Sequence, residues 1–166
     1  MEHHRLLSIY LNDHLALATV LIEVARRSLD NNDREPFRTA LDGVHTSALE
    51  QRAALVSVMD ELGVSRSVAK VRAAWVTEKA GRLKLNGRIK SYSPLSRVLE
   101  SEGLRASLEL QRSLWDTLGR LAARDPRVDP DTCSRMSRSC SDGIRNLEST
   151  QESAVAKAFE TQSFET

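Results

Sequence analysis

The chain has 166 residues, 40% of them hydrophobic and 28% charged, with a formal net charge of +1. That is ordinary globular composition for a single domain, residues 1–166, built around one core. Seven glycines, four prolines and only 4% aromatics leave a core of Leu, Val and Ala, which suits close-packed helices and argues against a β-sandwich.

The first helical pattern covers about residues 5–29 and ends in the polar turn Asp30-Asn31-Asn32-Asp33. Its apolar stripe is Leu7, Tyr10, Leu17, Ala18, Leu21, Val24 and Ala25, with His14 at the centre. The 100° spacing puts Glu23, Asn12, Arg26, Arg27 and Asp30 on the opposite side. Ile9, Leu15, Val20 and Ile22 lie outside the main stripe, so this helix is expected to bury two faces, one of them by self-association.

A second pattern covers about 35–62, with Asp33 as N-cap, Pro36 in the first turn and Gly63 as the stop. Phe37, Leu41, Val44, Ala48, Leu55, Met59 and Leu62 form its stripe; Arg52 falls within it and His45 at its edge. A short amphipathic helix is expected over about 67–82, carrying Val68, Val71 and Trp75, and then a loop turning at Asn86-Gly87. The third long helix, about 94–123, starts at Pro94 behind Ser93. It has a charged face of Glu102, Arg105, Glu109, Arg112 and Asp116. Glu100 and Gln111 fall on its apolar side. The fourth, about 130–159, is capped by Asp129 with Pro130 first. Its seam is Cys133, Met136, Cys140, Ile144, Leu147, Gln151, Ala154 and Ala158, alternating at three and four residues.

Short connections make the first and second long helices one antiparallel hairpin, and the third and fourth another. The connection of about 30 residues between the hairpins is long enough to traverse a bundle roughly 38 Å long. A third helix parallel to the second is therefore open, beside the plain up-down-up-down order. The strings Tyr10-Leu11-Asn12-Asp13-His14-Leu15, Gly81-Arg82-Leu83-Lys84-Leu85-Asn86-Gly87-Arg88 and Ser93-Pro94-Leu95-Ser96-Arg97-Val98-Leu99-Glu100 resemble a group of uncharacterised bacterial ferritin-like proteins. That resemblance implies an all-α fold, a ferritin-like four-helix bundle with a short crossover helix. It implies no activity.

Active ferritin-like enzymes need a Glu on each of two helices and Glu-x-x-His on each of the others, all facing inward. Here Glu100 is the one inward carboxylate. Asp42-Gly43-Val44-His45 and Glu148-Ser149-Thr150-Gln151 only approximate the motif. Two readings of the inward polar residues follow. One is a metal site of His14, His45 and Glu100, holding iron, manganese or zinc in an oxidoreductase or storage protein. Another is a buried polar network of His14, His45, Arg52, Glu100, Gln111 and Gln151, with Arg52 paired to Glu100. That network makes the chain a non-enzymatic structural or interaction module without cofactor, and it is the favoured reading.

A third reading lies in the segment 66–90. Lys70, Arg72, Lys79, Arg82, Lys84, Arg88 and Lys90, with Arg66, oppose the single acid Glu78, leaving a net +7 there and −6 in the rest. Such a segment fits an anion or nucleic-acid site, or a solvated face. No zinc-knuckle spacing or helix-turn-helix signature supports nucleic acid. No phosphate loop, Gly-x-Ser-x-Gly or His-Glu-x-x-His is present. Cys133 and Cys140 lie two turns apart, roughly 10.5 Å on one helix, too far for a disulfide. No membrane span and no signal peptide are read from the sequence, which leads to the expectation of a cytoplasmic protein.

Overall fold

The computed structural model describes residues 2–67 and 94–159, and among these every regular element is a helix. They are α1 (Glu2–Asp30), α2 (Phe37–Glu61), α3 (Pro94–Ala122) and α4 (Pro130–Phe159). All four long helices expected from periodicity are present. The expected short helix over 67–82 and the turn at Asn86-Gly87 lie outside the described residues.

The helix ends follow local chemistry. Asp129 caps α4: its carboxylate accepts from the Asp131 and Thr132 amides at 3.1 and 3.0 Å and from the Thr132 hydroxyl at 2.6 Å. Gly63 ends α2 in the left-handed region, φ 66°. The Val64 amide donates to Met59 O at 2.8 Å and the Gly63 amide to Asp60 O at 3.1 Å, a Schellman closure. At the start of α2 the expectation fails. Asp33 does not cap it: Pro36 stands at the N-cap position without a side-chain cap bond, the helix begins at Phe37, and the Glu35 carboxylate accepts from the Thr39 amide at 3.2 Å.

Each helix touches two neighbours. The packed pairs are α1–α2, α3–α4, α1–α3 and α2–α4, so α1 faces α4 and α2 faces α3 across the diagonals. Cross-helix hydrogen bonds give the directions. Ser28 meets Glu100 while the His14 carbonyl meets Gln111, so α1 and α3 are antiparallel. Arg105 meets Glu148 and Asp116 meets Ser137, so α3 and α4 are antiparallel too. Ser47 meets Ser139 as Gln51 meets Cys140, with Gly143 beside Val44, which gives the same sense for α2 and α4. The α2 and α3 helices therefore run in the same direction, diagonally opposed. Ser67 is held beside Asn12, and Pro94 begins the helix whose first turn reaches Asn32 through Arg97. Those two points are about 30 Å apart along α1.

The core divides into two apolar clusters. At one end Leu11, Leu15, Leu55, Met59, Leu62, Trp115, Leu118, Cys133 and Met136 pack together. At the other end are Leu21, Ala25, Phe37, Leu41, Val44, Leu104, Leu108 and Leu147. Gly143 lets α4 approach closely in the second cluster: a Cβ there would sit 3.1 Å from Leu108 Cδ1 and 3.6 Å from Val44 Cγ2.

The face assignments hold for α4 and need correction on α1. Asn12, which the 100° spacing puts on the side opposite the apolar stripe, is buried at 4% exposure. Its amide donates to Ser8 O at 2.9 Å and Ser65 O at 3.0 Å, and its oxygen accepts the Ser67 amide at 2.6 Å. One carboxamide thus ties the chain that leaves α2 to the side of α1. A window of α1 is also long and apolar enough to cross a membrane by length and composition, with mean hydropathy 1.3. The sequence reading missed that. In this fold 39% of that window is buried, Leu11, Leu15 and Leu21 against the other helices, while Leu17, Val20, Ile22 and Val24 are half-buried.

Candidate functional site

Between the two apolar clusters lies a polar layer. Gln51 is buried between Ala48 and Leu55 on α2, Gln111 between Leu108 and Leu114 on α3, and Cys140 between Met136 and Gly143 on α4. His14, 8% exposed, is the α1 member. Gln51 and Gln111 are each 1% exposed, so water cannot satisfy their amides and the protein must.

It does so pairwise. The Cys140 thiol donates to Gln51 Oε1 at 3.0 Å, Gln51 Nε2 donates to Ser47 Oγ at 2.8 Å, and Ser47 shares a 2.6 Å hydrogen bond with Ser139. This chain of four groups bridges α2 and α4. Burial pushes the Cys140 thiol up to about 12, with the Asp116 carboxylate adding to the effect. The thiolate is therefore negligible at neutral pH, and Cys140 is no nucleophile here. Burial raises the Cys133 thiol as well, with Asp129 contributing. Across the other interface, Gln111 Nε2 donates to the His14 carbonyl at 3.2 Å. The His14 ring packs edge-on against Tyr10, centroids 4.6 Å apart, and its Nδ1 has no hydrogen-bond partner. Burial holds the imidazole below its ordinary range, and the Asp13 charge partly offsets this.

A second polar group sits at the far end of the bundle. Glu100, on α3, accepts from Arg27 Nε at 3.0 Å and from Ser28 Oγ at 2.7 Å. Arg97 donates from Nε to Asn32 Oδ1 at 2.5 Å and lies over the Phe37 ring at 5.1 Å. Asn32 Nδ2 donates to Ser28 O at 2.7 Å. Ser28, Asn32, Phe37, Arg97, Glu100 and Ser101 line a recess of about 10 Å³. That is room for about one water molecule, against the several hundred Å³ of a ligand pocket.

The residues singled out from sequence are thus dispersed. His14 is level with Gln111 and Glu100 with Arg27, thirteen residues farther along α1, or about 20 Å. His45 is half-buried beside Val44 on α2, with Asp42 exposed. The trio His14, His45 and Glu100 does not converge, and no group of three His, Cys, Asp or Glu residues that could hold a metal occurs among the described residues.

The proposed network is also not one network. Gln111 and His14 do meet. Glu100 pairs with Arg27 and not with Arg52, which is half-buried on the diagonally opposed helix α2. Gln151 is bonded by Arg105, the same guanidinium that meets Glu148 at 2.7 Å. Arg105 was read as part of a solvated ladder, yet it turns toward α4. Gln51, Ser47 and Ser139 are not among the residues that the sequence points to. Lys70, Arg72, Lys79, Arg82, Lys84, Arg88 and Lys90 lie outside the described residues.

No protein-family model, curated protein or solved structure matches this chain.

Proposed function

We propose that this chain is a non-enzymatic, ferritin-like bundle that serves as a structural or interaction module in the cytoplasm. The ferritin-like reading is supported by the two hairpins whose second and third helices run in the same direction, joined by a long connection. The observation that carries the non-enzymatic reading is the composition of the middle layer. Metal and cofactor sites in helix bundles are built from side chains on facing helices in the bundle core. Here that position is taken by two carboxamides and a thiol, bonded to one another, to a hydroxyl and to backbone. Neutral Gln51 and Gln111 cannot balance the charge of a divalent pair, which needs carboxylates.

The test is metal content of untagged protein after incubation with ferrous iron, manganese or zinc. We expect less than stoichiometric metal, with no difference between wild type and His14→Ala. About one equivalent or more, lost in His14→Ala or Gln51→Ala while the fold persists, overturns the reading.

A further inference from the structure

We propose that the outward side of α1 is the docking surface for the chain's own connection between the hairpins, residues 68–93, which packs along it from Asn12 to Arg27. Asn12, Ala16, Val20, Glu23 and Arg27 form one row at three- and four-residue spacing, on the side of α1 turned away from the core. That row is covered. Asn12 is 4% exposed and Ala16 8%, and Val20, Glu23 and Arg27 are half-buried. Alanines at outward positions of the neighbouring helices, Ala53 on α2 and Ala106 on α3, are exposed. The cover also has limits. Ile9, one turn before Asn12 on the same side, is 42% exposed, and Asp30, one turn after Arg27, is exposed too. The covered stretch is about 22 Å long.

None of the described helices supplies this cover. α1 packs against α2 and α3, both on its core side, and α4 stands diagonally opposite. The α1–α2 connection begins only after Asp30. The α3–α4 connection lies level with the first turn of α1, because His14 is level with Gln111 and the two helices are antiparallel. The chain leaving α2 does reach the row, and at its start: the Asn12 side chain donates to Ser65 O and accepts from the Ser67 amide. At the other end, Arg97 in the first turn of α3 donates to Asn32, just past Arg27.

The two ends of the connection therefore stand at the two ends of the covered stretch, and this fixes the occupant. Residues 68 to 93 join them. Even at the 1.5 Å rise of a helix such a length reaches about 39 Å, more than the roughly 30 Å between the anchors. The composition of the segment matches the surface. Val68, Val71 and Trp75 recur at three and four residues, apolar partners for Ala16 and Val20. Its cations, from Lys70 to Lys90, outnumber the single acid Glu78 and suit Glu23 in the row and Asp13 at its border. The second buried face that the composition of α1 calls for is then supplied within the chain and not by a second copy. The inference stands apart from the reading of the interior: thiol access decides the one, metal content the other.

Thiol labelling of the untagged full chain tests it, with little background because Cys133 and Cys140 are buried. We expect Ala16→Cys to react with a maleimide at neutral pH more slowly than Ala53→Cys, on the order of tenfold or more. Replacing residues 70–91 by a Gly/Ser linker of equal length should bring the two rates together. A benzophenone attached to Asp13→Cys, an exposed position, identifies the occupant: photolysis should link it to residues 68–93 of the same chain. This arm decides even where the linker variant folds poorly. Ala16→Cys reacting as fast as Ala53→Cys overturns the proposal, as does an Ala16→Cys that stays slow in a folded linker variant. So does a photoproduct with residues 160–166 or with a second chain.

Discussion

Cys140 donates its thiol proton to Gln51 across the α2–α4 interface, with 3.0 Å between sulfur and oxygen. The pair makes Cys140 a reporter. With its thiol held at about 12, native protein should leave it unmodified by a disulfide reagent at mild alkaline pH, and reaction should follow the rate of unfolding. Gln51→Ala leaves the buried Cys140 thiol without its acceptor and opens a cavity, at a cost of about 2–4 kcal/mol by urea denaturation. Replacing Gln51 and Cys140 together by apolar residues of similar volume should cost much less. Equal losses in the single and double variants would remove the pair from the account.

Glu100 gives the next prediction. Its side chain is 16% exposed and that of its partner Arg27 24%. Glu100→Ala removes the carboxylate that accepts from Arg27 Nε and Ser28 Oγ and should destabilise by about 1–3 kcal/mol. A double-mutant cycle with Arg27→Met should show coupling of about 0.5 kcal/mol or more. Arg52→Met, on a helix that does not touch α3, should cost below about 1 kcal/mol and show no coupling to Glu100. Coupling to Arg52 in place of Arg27 would contradict the geometry.

His14 sets a pH dependence. Burial lowers its folded-state pKa below the ordinary 6.5. The unfolded chain therefore takes up the proton first as pH falls, and stability declines from about pH 6.5 downward until the folded form is protonated too. His14→Leu should flatten the melting temperature between neutral pH and pH 5. Asp129 works lower. The Thr132 hydroxyl, then the Thr132 and Asp131 amides, hold its carboxyl below the ordinary range. The stabilisation it provides is present above that range and lost as pH falls through the folded value, beneath 3.8. Asp129→Ala should remove the loss and speed amide exchange in the first turn of α4.

Gly143 marks a close helix approach, where an added Cβ would sit 3.1 Å from Leu108 Cδ1. Gly143→Val should destabilise by about 1–3 kcal/mol, because Leu108 and Val44 have little room to withdraw. Leu108→Ala should recover part of that loss in the double variant. An additive double variant would mean the helices simply move apart.

Much of this architecture is legible from spacing alone. The three-and-four alternation from Cys133 to Ala158 marks the buried side of α4, and Asp129-Pro130 and Gly63 mark helix ends, because caps and stops are local chemistry. What spacing cannot supply is the rotation of one helix against another. Arg52 and Gln51 are adjacent, and a stripe drawn at 100° per residue admitted the wrong one. Asn12 falls opposite the apolar stripe at that spacing, and nothing in its neighbourhood announces that the chain after α2 will cover it. Glu100 is legible as an inward acid, but its partner sits 73 positions away. Choosing Arg27 over Arg52 requires knowing which helices are neighbours.

The arrangement of the hairpins also bears on the order of assembly. Contacts within the α3–α4 hairpin link residues 21 to 46 positions apart, whereas Gln111–His14, Gln51–Cys140 and Ser47–Ser139 span 97, 89 and 92. Closing the longer loops costs more chain entropy, and a contact is rewarded only after its loop is closed. The two hairpins should therefore form early and the carboxamide layer last, so that the groups setting helix register act as the final check on docking.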